Sequence, residues 1–73
     1  MHGRVLDDSE RLARLARLWH EAFVVYETDE GARSWLTSPI PSAGGVPLSM
    51  LATQEGAERA QRSIRQLAYG VFA

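Results

Sequence analysis

Between Ser38 and Val46 the chain reads Ser-Pro-Ile-Pro-Ser-Ala-Gly-Gly-Val, and this stretch constrains the fold more than any other. Each proline fixes φ and removes a backbone donor, and the paired glycines raise the entropy cost of ordering, so neither a helix nor a central strand can pass through it. On both sides apolar residues recur at spacings of three and four, the period of a helix with one buried face. The chain is therefore two helical halves folded about a loop.

The first half predicts a helix over about 8–26, with Leu12, Leu15, Ala16, Trp19, Ala22, Phe23 and Tyr26 on one face. Asp7 and Glu10 have the spacing of a capping box. Asp7–Arg11 and Glu10–Arg14 are acid-before-base pairs at i, i+4, each worth about 0.2–0.5 kcal/mol on a helix surface. Thr28 can cap a second helix over about 29–37, with Asp29 and Glu30 in its first turn, where the macrodipole favours carboxylates. Ala32, Trp35 and Leu36 form its apolar face, and Pro39 stops it by forcing Ser38 into extended geometry. Pro47 fits the first position of a short third helix over about 47–52, with Leu48 and Leu51 turned inward. Thr53 caps a fourth helix over about 54–69, whose buried stripe is Ala57, Ala60, Ile64, Leu67 and Ala68 and whose surface pairs are Glu55–Arg59 and Glu58–Arg62. Gly56 in its first turn costs about 1 kcal/mol against Ala, which close packing would explain. Gly70 is the expected stop, leaving Val71, Phe72 and Ala73 as an apolar tail. The expected fold is all-α, a small bundle of two longer and two short helices. Leu12, Trp19, Phe23, Trp35, Leu36, Leu51, Ile64 and Leu67 are its candidate core.

With 73 residues, only one small domain fits. Such a domain buries about 60% of its unfolded surface and is marginal alone, so disulfides, a metal or a partner usually assist. The chain has no Cys, which excludes disulfides and thiolate zinc sites, and its two imidazoles, His2 and His20, do not make a metal cage. No metal and no cofactor is expected. A partner chain is the remaining support. The net charge of −1 argues against nucleic acid as the main ligand. No apolar run reaches the 18 or more residues of a membrane span, and the start, acidic by Asp7 and Asp8, does not read as a signal peptide. The cytoplasm is the expected location.

Catalysis finds little support in these residues. No nucleophile with a nearby base can be named, and Gly44-Gly45 lacks the Lys and the preceding strand of a phosphate loop. The expectation is that the chain is not an enzyme. Arg11, Arg14 and Arg17 read as a solvated face neutralised by Asp7, Glu10 and Glu21, and the second helix is too short and too apolar to read DNA, so DNA binding is doubtful. What remains is apolar surface, in particular Tyr69 and Phe72 flanking Gly70. That end folds back over the helices, frays, or projects into a partner.

Three fragments in order resemble a known family. They are Ala32 to Pro39 with Trp35-Leu36, then Gly44 to Ala57 with Gly44-Gly45-Val46-Pro47-Leu48 and Leu51-Ala52-Thr53, then Leu67 to Ala73 with Tyr69-Gly70. The order "WL…P", "G…P…LL.T..G" and terminal "YG" resembles the toxin-binding domain of the Xre/MbcA/ParS antitoxins, over about 9–73, with residues 1–8 as an N-terminal extension. The resemblance implies a type II antitoxin whose partner is a RES-domain toxin that attacks intracellular NAD. It implies that the domain obstructs the toxin's NAD pocket, with Pro47, Leu48, Tyr69, Gly70, Val71, Phe72 and Ala73 facing the toxin. Family members often carry a helix-turn-helix-like segment ahead of this domain for dimerisation and operator binding. Only eight residues precede the first helix here, so the chain is a toxin-binding-only antitoxin or a fragment of a longer one, and DNA binding is not carried over. Two other readings stay open: a DNA-binding regulator, and a self-associating helical module, for instance a homodimer.

Overall fold

The computed structural model describes residues 4–72, with the side chains of Val71 and Phe72 outside the description. Four helices follow in order: α1 Asp8–Tyr26, α2 Asp29–Thr37, α3 Pro47–Met50 and α4 Gln54–Phe72. Among the described residues there is no strand, only isolated bridges between Val5 and Thr53 and between Ile40 and Gly45. None of these helices is long and apolar enough to cross a membrane. The all-α architecture expected from periodicity is the one found.

Local signals set most helix limits. The Asp7 carboxylate accepts from the Glu10 amide at 2.8 Å while Glu10 Oε1 accepts from the Asp7 amide at 3.1 Å. This is the reciprocal box, and it satisfies two otherwise orphaned donors. Arg4 grips the same Glu10 carboxylate with both guanidinium nitrogens at 2.9 and 2.6 Å. That bidentate grip, then the Asp7 amide, pulls the Glu10 carboxyl from 4.5 to about 2. Thr28 Oγ1 caps α2 by accepting from Gly31 N at 3.0 Å, and Thr53 Oγ1 caps α4 by accepting from Gly56 N at 3.0 Å. Glu27 closes α1 in the left-handed region at φ 63°, its amide donating to Phe23 O at 2.7 Å.

The surface ion pairs differ from the expected ones. Asp7 is occupied by the cap and Glu10 by Arg4, so Arg11 turns instead to Asp8, and Glu58 accepts from Gln54 at 3.0 Å. Side-chain competition for the nearest donors, not helical spacing alone, sets these partners.

α1 packs against α2 and α4, and α3 contacts both α2 and α4. The core is Leu6, Leu18, Ala22, Ala32, Trp35, Leu36, Leu51, Ala57, Ala60 and Ile64, with Leu15, Trp19, Val25, Ile40 and Met50 packed against it. Three expected core residues are corrected. Leu12 is 66% exposed, Phe23 40% and Leu67 38%. Ala16 and Tyr26, expected on the same α1 face, are exposed as well. α1 carries two apolar rows, one through Leu15, Leu18, Ala22 and Val25 and one through Leu12, Ala16, Trp19 and Phe23. At 100° per residue they sit roughly 100° apart around the helix, and it is the first that α2 and α4 cover. Leu67 lies a turn past Ile64, at the margin of what the loop covers, beside Ser42 and Ser63.

Two further features lie outside the expectation. Residues read as an extension are woven in: Leu6 is buried, its amide donates to Ala52 O at 3.0 Å, and Gln54 N donates to Arg4 O at 2.6 Å. α4 does not stop at Gly70 but continues to Phe72. A glycine ends a helix only when it takes a left-handed φ that reverses the chain. Among the described glycines only Gly44 has a positive φ, at 88° in the loop turn.

Candidate functional site

The outer row of α1 becomes one wall of an apolar groove of about 460 Å³. Leu12, Ala16 and Trp19 stand on that wall with Leu15 at its foot. Leu36, Arg33 and Thr37 of α2 form the opposite side, and Leu48 of α3 closes one end. A second depression, lined by Asp8, Arg11, Leu12, Leu15, Leu48 and Leu51, continues it past α3. Leu48 was expected both inward and toward a partner; it is 44% exposed and lines this groove. Pro47, expected on the partner-facing surface, is fully buried. As the first residue of α3 it has the fixed φ that suits a helix start, and its ring packs inward where no partner reaches it.

The other expected contact residues lie on α4. Tyr69 is 75% exposed, and Gly70 is exposed on the same last turns. Val71 and Phe72 continue the helical backbone rather than forming a loose tail, and Ala73 lies outside the described residues. Leu48 and Gly70 line separate concavities. The structure therefore divides the expected contact set into a groove on α1–α2–α3 and an exposed end on α4.

A polar bridge braces the middle of α4 against α1. Gln61 Nε2 donates to Glu21 Oε1 at 3.0 Å, Arg14 Nη1 donates to Gln61 Oε1 at 3.4 Å, and Arg65 Nε lies 3.4 Å from Glu21 Oε2. Gln61 is buried, so it needs these partners, and they fix the register of α4 on α1. Ser42 Oγ and Ser63 Oγ, 2.6 Å apart, tie the loop to the other flank of α4. α4 is thus held on both flanks over residues 61–65, and its last turns, with Tyr69, run on beyond these contacts. Of the basic residues of the first half, Arg14 is engaged in this bridge, and Arg11 pairs separately with Asp8.

What chemistry this surface offers is recognition. His20 is exposed on α1, and among the described residues no three His, Cys, Asp or Glu side chains gather as metal ligands do. The informative residues that periodicity missed are Leu6, Leu18, Gln61 and Ser63, all buried. Leu6 had a local signal, its position just before the cap of α1, and Leu18 lies on the apolar row of α1 that α2 and α4 cover.

A family model described as the antitoxin Xre/MbcA/ParS C-terminal toxin-binding domain matches residues 21–70. A "Prs ADP-ribosylating antitoxin" of Sphingobium sp. (strain YBL2) is 38% identical over 77 residues, covering 92% of this chain and 48% of that protein. An "Antitoxin Xre" of Yersinia enterocolitica is 36% identical, covering 92% of this chain and 47% of its own, and one of Pseudomonas putida is 33% identical, covering 89% and 42%. The chain thus spans about half the length of the curated relatives it matches. No solved structure matches it. With the Trp35-Leu36 core, the proline-started α3 and the exposed Tyr69-Gly70 end all inside or bordering the matched span, the chain belongs to the family of antitoxin Xre/MbcA/ParS C-terminal toxin-binding domains.

Proposed function

We propose that this chain is the neutralising module of a toxin–antitoxin pair, and that it inhibits a RES-domain, NAD-consuming toxin by seating the end of α4 in the entrance of the toxin's active site. The observation that carries this reading is Tyr69, a large aromatic side chain left 75% exposed on a helix that is braced on both flanks. A large exposed aromatic on a packed helix contributes contact area, and such residues commonly anchor interfaces. Inhibition is then steric. The chain performs no chemistry itself, needs no cofactor, and acts in the cytoplasm, where the toxin meets its substrate.

The name of the Sphingobium relative supports the NAD part of the reading, since ADP-ribosylation draws its ADP-ribose from NAD. The test is a titration of the purified chain into the RES-domain protein encoded beside it while NAD is followed. Consumption should fall to zero at a fixed molar ratio, and added NAD should compete. Undiminished turnover at saturating chain would refute the reading.

The groove favours a second reading, a self-associating helical module. Leu12 at 66% exposure and Leu48 at 44% leave it open in the single chain. Sedimentation of the chain alone distinguishes this, since a homodimer through the groove shows a doubled mass that Leu12→Glu abolishes. For a DNA-binding regulator, Arg11 and Arg14 of the expected patch are already engaged within the chain, by Asp8 and Gln61.

A further inference from the structure

Two large apolar side chains left outside the core, Leu12 and Leu48, stand on the same groove between α1, α2 and α3. A contiguous apolar concavity left open on a chain marks a binding surface. The charge around it is one-sided. Arg33 is the only charged residue lining the groove; it is exposed, and among the described residues it forms no ion pair. Asp8, the one carboxylate of the depression that continues the groove past α3, is already held by Arg11. The surface that complements this trough carries an apolar row and a carboxylate beside it.

We propose that the groove seats an amphipathic helix of a protein partner, with an apolar row lying on Leu12, Leu15 and Leu36 and a carboxylate reaching Arg33. The site goes beyond the antitoxin reading and does not rest on it, since Tyr69 of the α4 end lines a separate concavity. The dimensions favour a helix. Along α1 the trough and its continuation run from Asp8 to Trp19, about eleven residues or roughly 16 Å, which is three helical turns. A partner helix of that length offers side chains at i, i+4, i+7 and i+11, the anchoring pattern of helix-in-groove recognition. A small apolar molecule needs a pocket that encloses most of its surface. This trough is open along its top, where Leu12 is 66% exposed. A second copy of the chain brings the same concave face, so the two rims meet and the floors over Leu15 and Leu36 stay empty.

The probe is a stapled synthetic helix of about 14 residues, free of tryptophan, with leucine at i, i+4, i+7 and i+11 and one glutamate flanking that row. A twin carries lysine in the glutamate's place. Binding to the intact chain is read from tryptophan fluorescence, because Trp19 lines the groove while Trp35 is only 3% exposed. The glutamate helix should shift the Trp19 emission to the blue at a one-to-one ratio. It should bind about two- to fivefold more tightly than its twin, the effect of one ion pair at a solvated rim. Arg33→Glu should reverse that preference, and Leu12→Ser should weaken both helices about tenfold. Both side chains are exposed, so thermal melts of the variants should match the parent. No shift with either helix, equal affinity of the twins, or a preference for glutamate that survives Arg33→Glu would each overturn the proposal. So would a doubled mass of the chain alone in sedimentation that Leu12→Ser abolishes, which would give the groove to a second copy.

Discussion

Replacing Gly56 with alanine should unfold this domain at markedly lower temperature, although helix propensity alone says the opposite. Alanine is favoured over glycine in a helix by about 1 kcal/mol. Against that stands the geometry: the added Cβ would be 2.3 Å from Met50 O, 3.2 Å from Met50 C and 3.0 Å from Thr53 Oγ1. Ordinary contact begins near ~3.5 Å, so the junction of α3 and α4 must open by roughly 1 Å. The closest of these, Met50 O, is backbone and cannot swing aside as a long side chain can. The same junction carries the hydrogen bonds from Leu6 N to Ala52 O and from Gln54 N to Arg4 O, so opening it strains the N-terminal clasp as well. Overpacking of this kind costs about 1–3 kcal/mol or more, and each weakened hydrogen bond adds up to about 1 kcal/mol. The net loss should be about 1–3 kcal/mol, in a domain whose whole stability is about 3–5 kcal/mol. At about 4–8 °C per kcal/mol for a chain of this size, the midpoint falls by roughly 4–24 °C. A melt followed by helical circular dichroism reads it directly. A midpoint equal to or above that of the parent would show that the junction yields freely and that the close approach carries no weight.

The two apolar rows of α1 make contrasting predictions. Leu18→Ala should cost about 2–5 kcal/mol in denaturant melts, as for a buried leucine, while Leu12→Ala should stay within about 0.5 kcal/mol of the parent. The reverse order would return Leu12 to the core. Acid should weaken the clasp around Arg4, because the Glu10 carboxyl titrates at about 2 in the folded chain against an ordinary 4.5. A depressed folded pKa gives stability that is complete above about 4.5 and is lost as pH falls toward 2, so Glu10→Gln should flatten the acid limb of the stability curve in that window. An unchanged acid limb in Glu10→Gln would remove the clasp from the account.

The limits of α1 and α2 were legible because their signals are local. Asp7 with Glu10, Thr28, and Pro39 behind Ser38 each act within four residues, so sequence spacing captures them. The inward face of α1 was not. Leu12, Leu15, Ala16, Leu18, Trp19, Ala22, Phe23 and Val25 offer two rows of similar length, and which row turns inward is decided by where α2 and α4 lie, information that periodicity does not contain. Gly70 misled for a related reason: a stop needs a left-handed φ and a chain reversal, and the residue type alone specifies neither. Of the contact residues inferred by resemblance, Leu48 and Tyr69 are exposed and Pro47 is buried, because the proline starts α3 from beneath. Family order locates a surface without saying which of its residues face outward.

The proposed function places inhibition in the last turns of α4. The most direct measurement is neutralisation of the proposed RES-domain partner by the chain shortened to end at Ala68, with a melt to verify that the remainder stays folded. Loss of protection of the NAD pool at an unchanged melting temperature is the expected result. Full protection by the shortened chain would place the inhibitory surface elsewhere, with the groove of Leu12, Trp19 and Leu48 next to be tested.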